Sequence, residues 1–295
     1  MLDINLIRKS PDLIKQEIKK RHMKLNVDEL LKIDKKRRNL LVKIEKLRAK
    51  QNKLSDQIAR LSGKEKQKAI LEGKALAKRL DEQEPKLKKT EKKLKDLMSK
   101  LPNISHESVP EGRDESDNVV IKTWGKLPKF NFKSKDHIQL GKDLDLIDIE
   151  KAAKVSSSRF YYLKNEAVLL EWALINYTFD LLRKKGYIPI LPPQLVNYNT
   201  IYGSGFLPAE EFEIYRVNPE EDDLYIIGTA EVSICAYHQS EIFEEKNLPK
   251  KYVGFSTNQR REAGAYGKKT WGIFRVHQFD KVEIFKFTKE DTSWK

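Results

Sequence analysis

Apolar residues recur at alternating steps of three and four along residues 30–101, which is the spacing of a coiled-coil seam. The polar break at Ser62-Gly63 divides this pattern into two amphipathic helices and predicts an antiparallel helical hairpin. Each arm of about 30 residues would extend roughly 45 Å at the helical rise. Pro85 interrupts the second arm and predicts a kink there, because its ring displaces a backbone hydrogen bond. The seam consists of Ile33, Leu40, Ile44, Leu47, Leu54, Ile58 and Leu61 in the first arm and Leu76, Leu80, Leu87, Leu94, Leu97 and Leu101 in the second.

Patterns outside the hairpin predict an α+β chain. Ser10-Pro11 begins a short helical lead-in, since serine is a good N-cap and proline fits the first helical turn. Apolar periodicity over residues 165–185 predicts a second amphipathic helix, which Gly186 ends and a strand leading to Pro193 follows. Proline and glycine punctuation predicts a linker between the two regions. The predicted parts are an N-terminal domain at 1–104, a linker at 105–135 and a second domain at 136–295.

The stretch 256–287 predicts a β-hairpin with a long connection, because two extended runs flank a loop holding Gly264, Gly267 and Gly272. Side chains alternate faces along a strand. This alternation predicts that Arg260 and Glu262 share a face, and likewise Arg275, Phe279 and Glu283. Phe274, Val276, Val282 and Ile284 would form the apolar face. The opposite face then suits a ligand with negative charge and a flat ring, and the alternative is a solvated cross-strand ion-pair ladder.

Basic charge is concentrated in the predicted hairpin. The net charge is +14, and residues 31–100 hold 24 Lys and Arg against 10 Asp and Glu, so the remainder of the chain is neutral. This distribution predicts a polyanionic partner for the hairpin alone, with lysines that contact phosphates without reading sequence. A solvated lysine-rich surface and a protein–protein coiled coil are the alternatives. The candidate contacts include Lys35, Lys36, Arg37, Arg38, Lys43, Lys46 and Arg48.

Several classes of protein are excluded by composition. No apolar run is long enough to span a bilayer, and the first residues lack the continuous apolar stretch of a signal peptide. Cys235 is the only cysteine, so a disulfide framework and a cysteine-rich zinc site are excluded. Cys235 lies in an apolar run and is predicted to be a small buried residue rather than a nucleophile. We expect a cytoplasmic protein without a membrane partner.

The run Thr229-Ala230-Glu231 follows a predicted strand and has two possible roles. Its hydroxyl and carboxylate suit the hydroxyl and ammonium groups of a small zwitterion. Alternatively, Thr229 is the N-cap of a helix that begins near Glu231.

The chain resembles the seryl-tRNA synthetases, a family of class II aminoacyl-tRNA synthetases. Residues 260–264 (RREAG), 274–279 (FRVHQF) and 281–283 (KVE) resemble motif 2 of that class. The helix, Gly186, strand and Pro193 resemble motif 1, and Thr229-Ala230-Glu231 resembles the serine-binding run of the family. The first eight residues, MLDINLIR, are also similar to the family's N-terminus. One departure is Asn258-Gln259, where the family usually has Cys-Phe.

This resemblance implies a class II antiparallel-sheet catalytic domain and a two-step reaction. Serine and ATP would form seryl-adenylate, and the seryl group would pass to tRNA(Ser), with tRNA(Sec) as a further acceptor. No covalent nucleophile is needed, because catalysis is positioning and charge stabilisation. The family also implies an N-terminal hairpin that holds the variable arm of the tRNA, and a homodimer whose motif 1 interface includes Gly186 and Pro193.

Individual roles follow from the same resemblance. Arg260 would be the catalytic residue at the α-phosphate and the serine carboxylate. Glu262 would face the adenine amino group, and Phe279 would stack on the ring. Arg275 would meet the γ-phosphate of a bent ATP, and Glu283 would meet the serine ammonium group or Mg²⁺. The implied ATP site comprises Arg260, Arg261, Glu262, Arg275, Val276 and Phe279, and the implied serine site comprises Thr229, Ala230, Glu231 and Glu283.

The third class II motif has no match in these residues. We therefore expect a chain that is truncated after Lys295 and inactive as it stands. One rival interpretation is a non-catalytic synthetase paralogue that acts as a tRNA-binding module. Another is a coiled-coil interaction protein with a vestigial second domain.

Overall fold

The computed structural model describes residues 2–208, 211–263 and 272–293. The chain forms two compact units, Met1–Gly125 and Lys126–Lys295, whose boundary lies within the punctuated segment 105–135. Each unit has its own hydrophobic core. In the described ranges, no helix is both long enough and apolar enough to cross a membrane.

The N-terminal unit is helical, and its two long helices form the predicted hairpin. Every predicted seam residue of both arms is buried or half-buried, which confirms the heptad pattern. The connection places Gly63 at φ +60°, a conformation that favours glycine. Helix α4 continues through Pro85, so the proline does not end it. The helices are α1 (Ile4–Lys9), α2 (Pro11–Lys20), α3 (Val27–Ile58) and α4 (Gly63–Met98), followed by a 3₁₀ turn at Glu115–Asp117.

An ion-pair cluster lies at the base of the hairpin, beside a core that includes Ile7, Leu30 and Met98. The Asp34 side chain is only 1% exposed. Arg8 donates to both Asp34 oxygens, from Nε at 2.8 Å and from Nη2 at 2.6 Å, and Arg38 Nε donates at 3.1 Å. The hydrogen bonds from Arg8 hold the pKa of Asp34 below its usual value. This cluster fixes α1 against the first arm.

In its described residues, the C-terminal unit combines helices with three small sheets. The helices are α5 (His137–Asp143), α6 (Ile149–Ser156), α7 (Glu166–Lys184), α8 (Tyr198–Gly203) and α9 (Ala230–Tyr237), with 3₁₀ turns at Glu211–Glu213, Glu245–Asn247 and Glu290–Thr292. The strands are β1 (Ile147–Asp148), β2 (Tyr162–Leu163), β3 (Ile188–Ile190), β4 (Leu195–Asn197), β5 (Arg216–Val217), β6 (Leu224–Ile226), β7 (Lys250–Gln259) and β8 (Gln278–Phe287). Their orders are β1-β2, β3-β7-β8 and β4-β6-β5.

The antiparallel pair β7–β8 carries the functional region. Its register runs from Lys250↔Phe287 to Gln259↔Gln278, which confirms a hairpin of two long strands, and β3 joins β7 in parallel. Helix α9 packs closely on this sheet, since a Cβ atom at Gly254 would lie 2.5 Å from Ile234 Cδ1. Only glycine allows that approach. The helix therefore sets its N-terminus against the middle of β8.

Helix α7 confirms the predicted amphipathic helix but buries none of its residues. Large apolar side chains on it are more than half exposed, namely Leu169, Leu170, Trp172, Leu174 and Tyr177. Glu171 on the same helix lies beside Asp280 of β8. Burial, together with the negative charge of Asp280, raises the pKa of Glu171.

Candidate functional site

The N-terminus of α9 and the middle of β8 meet at a carboxylate. Glu283 Oε2 accepts hydrogen bonds from the Thr229 hydroxyl and, at 3.2 Å, from the Glu231 backbone N–H. Lys281 Nζ binds the other oxygen, Oε1, at 2.8 Å. Thr229 is also the N-cap of α9, because its hydroxyl accepts from the Glu231 N–H at 3.3 Å. The two roles weighed for Thr229 are thus compatible, since one side chain can cap the helix and face the site.

The Thr229-Ala230-Glu231 run presents its members differently. Thr229 is buried and bound to Glu283, whereas the Glu231 side chain is exposed. The Ala230 methyl lies in the core with Ile234 and Tyr252. Only the main chain of Ala230 is therefore left to face a ligand.

Arg260 lies next to the aromatic ring of β8. Its Nε donates to the Gly228 carbonyl at 3.1 Å, and its guanidinium carbon is 5.5 Å from the centroid of the Phe279 ring. Gly228 precedes Thr229, so the predicted phosphate-binding, ring-stacking and serine-binding groups lie together. A cation over an aromatic face is an attractive arrangement in itself. The Gly228 carbonyl and the Phe279 ring thus both contact the Arg260 guanidinium group.

Glu262 and Arg275 form an ion pair with each other. Glu262 is buried and has φ +49°, in the left-handed region. Arg261, by contrast, is exposed, and its backbone N–H donates to the Glu213 carbonyl at 2.9 Å. The residues predicted to meet the adenine amino group and the folded-back γ-phosphate of a bent ATP are thus neighbours at the base of the loop.

The predicted sharing of strand faces is wrong for three of the five residues named for the ligand-binding faces. Strand β7 ends at Gln259 and β8 begins at Gln278, so Arg260, Glu262 and Arg275 lie outside the strands. The positive φ of Glu262 turns the chain away from the sheet, and strand alternation no longer applies. Phe279 and Glu283 do share a face.

The predicted apolar face is also only partly buried. Val276 is buried, but Phe274 is 76% exposed and Ile284 is 49% exposed. Phe274 lies before β8 begins, where the ring of His137 contacts it at 4.3 Å between centroids. Of the loop glycines, Gly272 has φ +73°, whereas Gly264 and Gly267 lie outside the described residues.

Asn258, which replaces the cysteine usual in the family, lies opposite Phe279 in the β7–β8 register. It is fully buried, and its Oδ1 accepts from the Ser256 hydroxyl at 2.6 Å. Gln259, in place of the usual phenylalanine, donates through Nε2 to Gln278 Oε1 at 3.4 Å. Polar side chains therefore occupy this part of the hairpin, and the buried Nδ2 of Asn258 has no hydrogen-bond partner among the described residues.

Two residues that strand patterns did not single out connect the base of the loop. Arg159 Nη1 donates to the Glu262 carbonyl at 2.9 Å, and the Arg159 carbonyl accepts from the His277 N–H at 3.0 Å. His277 Nδ1 donates to the Arg260 carbonyl at 3.0 Å. The available signal was the family resemblance, because His277 lies within the run 274–279 that resembles motif 2.

Cys235 is half-buried on α9, and burial raises the pKa of its thiol. The negative charge of Glu231 acts in the same direction. A thiol with a raised pKa is a poor nucleophile. Cys235 is thus half-buried rather than buried as expected, and the raised pKa of its thiol agrees with the expectation that it is not a nucleophile.

The predicted basic contacts of the hairpin divide into two groups. Three arginines are engaged in ion pairs within the unit: Arg37 with Glu91, Arg38 with Asp34, and Arg48 with Glu84. The lysines differ, being exposed and, among the described residues, without an ion-pair partner; they are Lys35, Lys36, Lys43 and Lys46.

Comparisons with known proteins find family models that match both units of the chain and relatives along its whole length. The seryl-tRNA synthetase N-terminal domain matches residues 1–105, and the tRNA synthetase class II core domain (G, H, P, S and T) matches residues 212–295. The serine–tRNA ligase of Dictyoglomus turgidum is 43% identical over 297 residues, covering 99% of this chain and 69% of the relative.

Two solved structures have the same fold as this chain. The seryl-tRNA synthetase from Pyrococcus horikoshii, complexed with ATP, is 40% identical and has a TM-score of 0.84, with 100% of this chain and 71% of that chain covered. The cytoplasmic serine–tRNA ligase from Naegleria fowleri, in complex with AMP, is 32% identical with a TM-score of 0.80, and the match covers 100% of this chain and 69% of that chain.

Proposed function

The chain belongs to the serine–tRNA ligase family, and from that premise we propose that it activates L-serine with ATP and passes the seryl group to tRNA(Ser). The observation that supports this most is that Arg260, Phe279 and the Thr229–Glu283 pair lie together between the middle of the β7–β8 hairpin and its loop end. These groups match the needs of a ligand with an aromatic ring, a phosphate and an amino acid. tRNA(Sec) is a further candidate acceptor.

In the proposed first step, a serine carboxylate oxygen attacks the α-phosphorus and pyrophosphate leaves. Arg260 is a fork-shaped donor that can bind both the α-phosphate and the carboxylate. Adenine stacked on Phe279 takes the position over the ring where the Arg260 guanidinium lies. Arg260 then turns towards the phosphate, where developing negative charge is stabilised.

The serine ammonium group is assigned to Glu283. Lys281 Nζ lies 2.8 Å from Glu283 Oε1, so this carboxylate already binds an ammonium group. A serine ammonium has the same charge and the same three donors, and can take that place. Thr229, bound to the other oxygen, then keeps the carboxylate oriented.

At the base of the loop, Glu262 is assigned to the adenine amino group and Arg275 to the γ-phosphate of a bent ATP. Their mutual ion pair means that ATP has to separate them or bind around them. Val276, which is buried beside Arg275, is assigned to the floor of this part of the site. Arg261, the exposed member, is assigned to the phosphate side.

Magnesium remains a prediction without a cage of protein ligands. Within residues 2–208, 211–263 and 272–293 there is no cluster of three acidic, histidine or cysteine side chains that could hold a metal. Both oxygens of Glu283 are hydrogen-bonded to other groups. Glu283 is the residue assigned to Mg²⁺, which would take its other ligands from phosphate and water and would neutralise phosphate charge.

The helical hairpin is assigned to the tRNA backbone. The exposed lysines Lys35, Lys36, Lys43 and Lys46 are the proposed phosphate contacts, because their amino groups are not committed to ion pairs in the described chain. Such contacts release counterions and make binding strongly dependent on salt.

A cytoplasmic location stays a prediction.

A homodimer through α7 and the adjoining β3 is proposed on the exposed apolar side chains of that helix. Gly186 ends the helix with φ +80°, and the Pro193 carbonyl accepts a hydrogen bond from the Ser233 hydroxyl at 2.7 Å. Both residues therefore fix the connection between β3 and α7, the helix that carries the exposed apolar side chains. Sedimentation should give twice the monomer mass, and Trp172→Glu should give the monomer mass.

The direct test is serine-dependent exchange of radiolabelled pyrophosphate into ATP, measured with the full chain. Exchange that requires serine supports the proposal, with threonine as the control amino acid. Binding of tRNA without any exchange would agree with the truncated, inactive chain that the missing third motif predicts, and equally with the non-catalytic tRNA-binding module.

A further inference from the structure

We infer that Arg159 and His277 form a brace, hereafter the limb brace, that positions Arg260 and Glu262 for ATP. This inference rests on the proposed ATP site and adds two residues that do not touch the ligand. The two limbs of the loop are the outgoing limb, residues 260–263, and the returning limb, residues 272–277. The limb brace joins both limbs at the point where they leave the sheet.

His277 binds Arg260 twice. The Arg260 N–H donates to the His277 carbonyl at 2.9 Å, and His277 Nδ1 bonds to the Arg260 carbonyl at 3.0 Å. A carbonyl only accepts, so the proton must be on Nδ1. His277 therefore fixes both backbone polar groups of the proposed catalytic arginine.

Arg159 binds both limbs from a distant part of the chain. Its guanidinium donates to the Glu262 carbonyl at 2.9 Å, and its own carbonyl accepts from the His277 N–H at 3.0 Å. The ring of the next residue, Phe160, contacts the His277 ring at 5.3 Å between centroids. One short segment thus holds the outgoing limb by a side chain and the returning limb by its backbone.

Backbone conformation supports a positioning role. Arg159 has φ +67° and Glu262 has φ +49°, both unusual for residues other than glycine. Such conformations persist where surrounding contacts over-determine them, and they cluster at functional sites. The Arg159–Glu262 hydrogen bond joins these two residues directly. Displacing a group that positions a substrate by about 1 Å can lower the reaction rate by about a hundredfold.

Paired variants separate the hydrogen bond from the ring. His277→Phe keeps a ring against Phe160 and removes the donor, whereas His277→Asn keeps an N–H donor and removes the ring. Arg159→Met and Arg159→Lys form a second pair that differs in the donor. His238→Phe is the matched control, because His238 also bonds a polar partner, the Tyr252 hydroxyl at 2.7 Å, and contacts aromatic rings.

Calorimetric binding of ATP and of ITP, which lacks the adenine amino group, tests the inference. His277→Phe and Arg159→Met should weaken ATP binding by about three- to tenfold, the loss expected for one hydrogen bond, and should lower the preference for ATP over ITP. The ATP affinity and the ATP/ITP preference of His277→Asn and Arg159→Lys should lie closer to those of the wild type. An unchanged ATP/ITP preference in the first two variants, or an equal loss in His238→Phe, would overturn the inference.

Amide hydrogen exchange provides a readout that does not need ATP. Loss of the Nδ1 donor should accelerate exchange at the amides of Arg260 and of position 277 by about three- to tenfold in His277→Phe and less in His277→Asn. If the wild-type chain binds no ATP, the proposed function fails, and amide hydrogen exchange alone decides whether the limb brace exists. Equal amide exchange rates in the wild type and in His277→Phe would then rule out the limb brace.

Discussion

The helical hairpin and the loop base of the C-terminal unit are held together in different ways. In the hairpin, each seam residue repeats the role of the one before it, and similar contacts join the two arms along their length, such as Arg37 with Glu91 and Arg48 with Glu84. At the loop base, single contacts join residues far apart in sequence, such as Arg159 and Glu262, which are 103 positions apart. The difference teaches that the hairpin can share one task among many lysines, whereas the loop base depends on a few groups that cannot replace each other.

The largest effect should come from Arg260. Arg260→Met should lower serine-dependent pyrophosphate exchange by about a hundredfold or more, because charge stabilisation at the α-phosphorus is lost. Affinity for tRNA(Ser), measured by filter binding, should not change. Arg216→Met is the control, since Arg216 is an exposed arginine of the same unit that pairs with Asp223. Near-normal exchange in Arg260→Met would break the assignment.

The next effect concerns the hairpin and should spread over several residues. Replacing Lys35, Lys36, Lys43 and Lys46 together by glutamine should weaken tRNA(Ser) binding by about tenfold or more and flatten its salt dependence. ATP binding should be unaffected. The same four positions changed to arginine keep the charge and serve as the control. An unchanged salt slope in the glutamine variant would contradict phosphate contact by these lysines.

A third effect concerns stability of the helical unit. Asp34→Ala should cost about 2 kcal/mol of unfolding free energy, because the charge-assisted hydrogen bonds from Arg8 and Arg38 are lost, while the 30% exposed Arg8 side chain keeps its bond to Asn5 and gains water. Urea unfolding followed by circular dichroism measures this, and Asp28→Ala, which removes an exposed carboxylate paired with Lys15, is the control. A loss no greater than that of the control would show that the cluster does not stabilise the base of the hairpin.

The pH dependence of the same variant has a definite sign. Hydrogen bonds from Arg8 lower the pKa of Asp34 in the folded state, so the folded protein binds fewer protons than the unfolded chain. The stabilisation is complete above the unfolded pKa of about 3.9 and disappears as the pH falls through the folded value. The difference between wild type and Asp34→Ala should therefore shrink only in strong acid.

The smallest effect belongs to Glu171 on α7. Burial and the charge of Asp280 raise its pKa, so the folded state loses stability as the pH rises from the unfolded value of about 4.3 through the folded one. Glu171→Gln should raise Tm at neutral pH by about 1–2 °C and have no effect in acid. Glu166→Gln in the first turn of the same helix should show no gain, because a carboxylate there is favourable. Equal Tm values for both variants would contradict the assignment.

Sequence patterns predicted the hairpin more completely than the loop base. The seam positions from Ile33 to Leu101 are correct because a heptad depends on local spacing alone. Strand alternation failed at Arg260, Glu262 and Arg275, because the strands end before these residues. What bends the chain there is the conformation of Glu262 and its bond to Arg159, neither of which local spacing encodes. The pairing of Thr229 with Glu283 likewise depends on the close packing of α9 at Gly254.

The most direct test of the central claim, that ATP and serine share one site on the β7–β8 hairpin, is calorimetric binding of a non-hydrolysable sulfamoyl analogue of seryl-adenylate. Because such an analogue joins both ligands, the account predicts one molecule bound per chain, with an affinity well above that of ATP or serine alone. Arg260→Met should weaken this binding by about a hundredfold. Binding that is no tighter than that of ATP, or that Arg260→Met leaves unchanged, would contradict it.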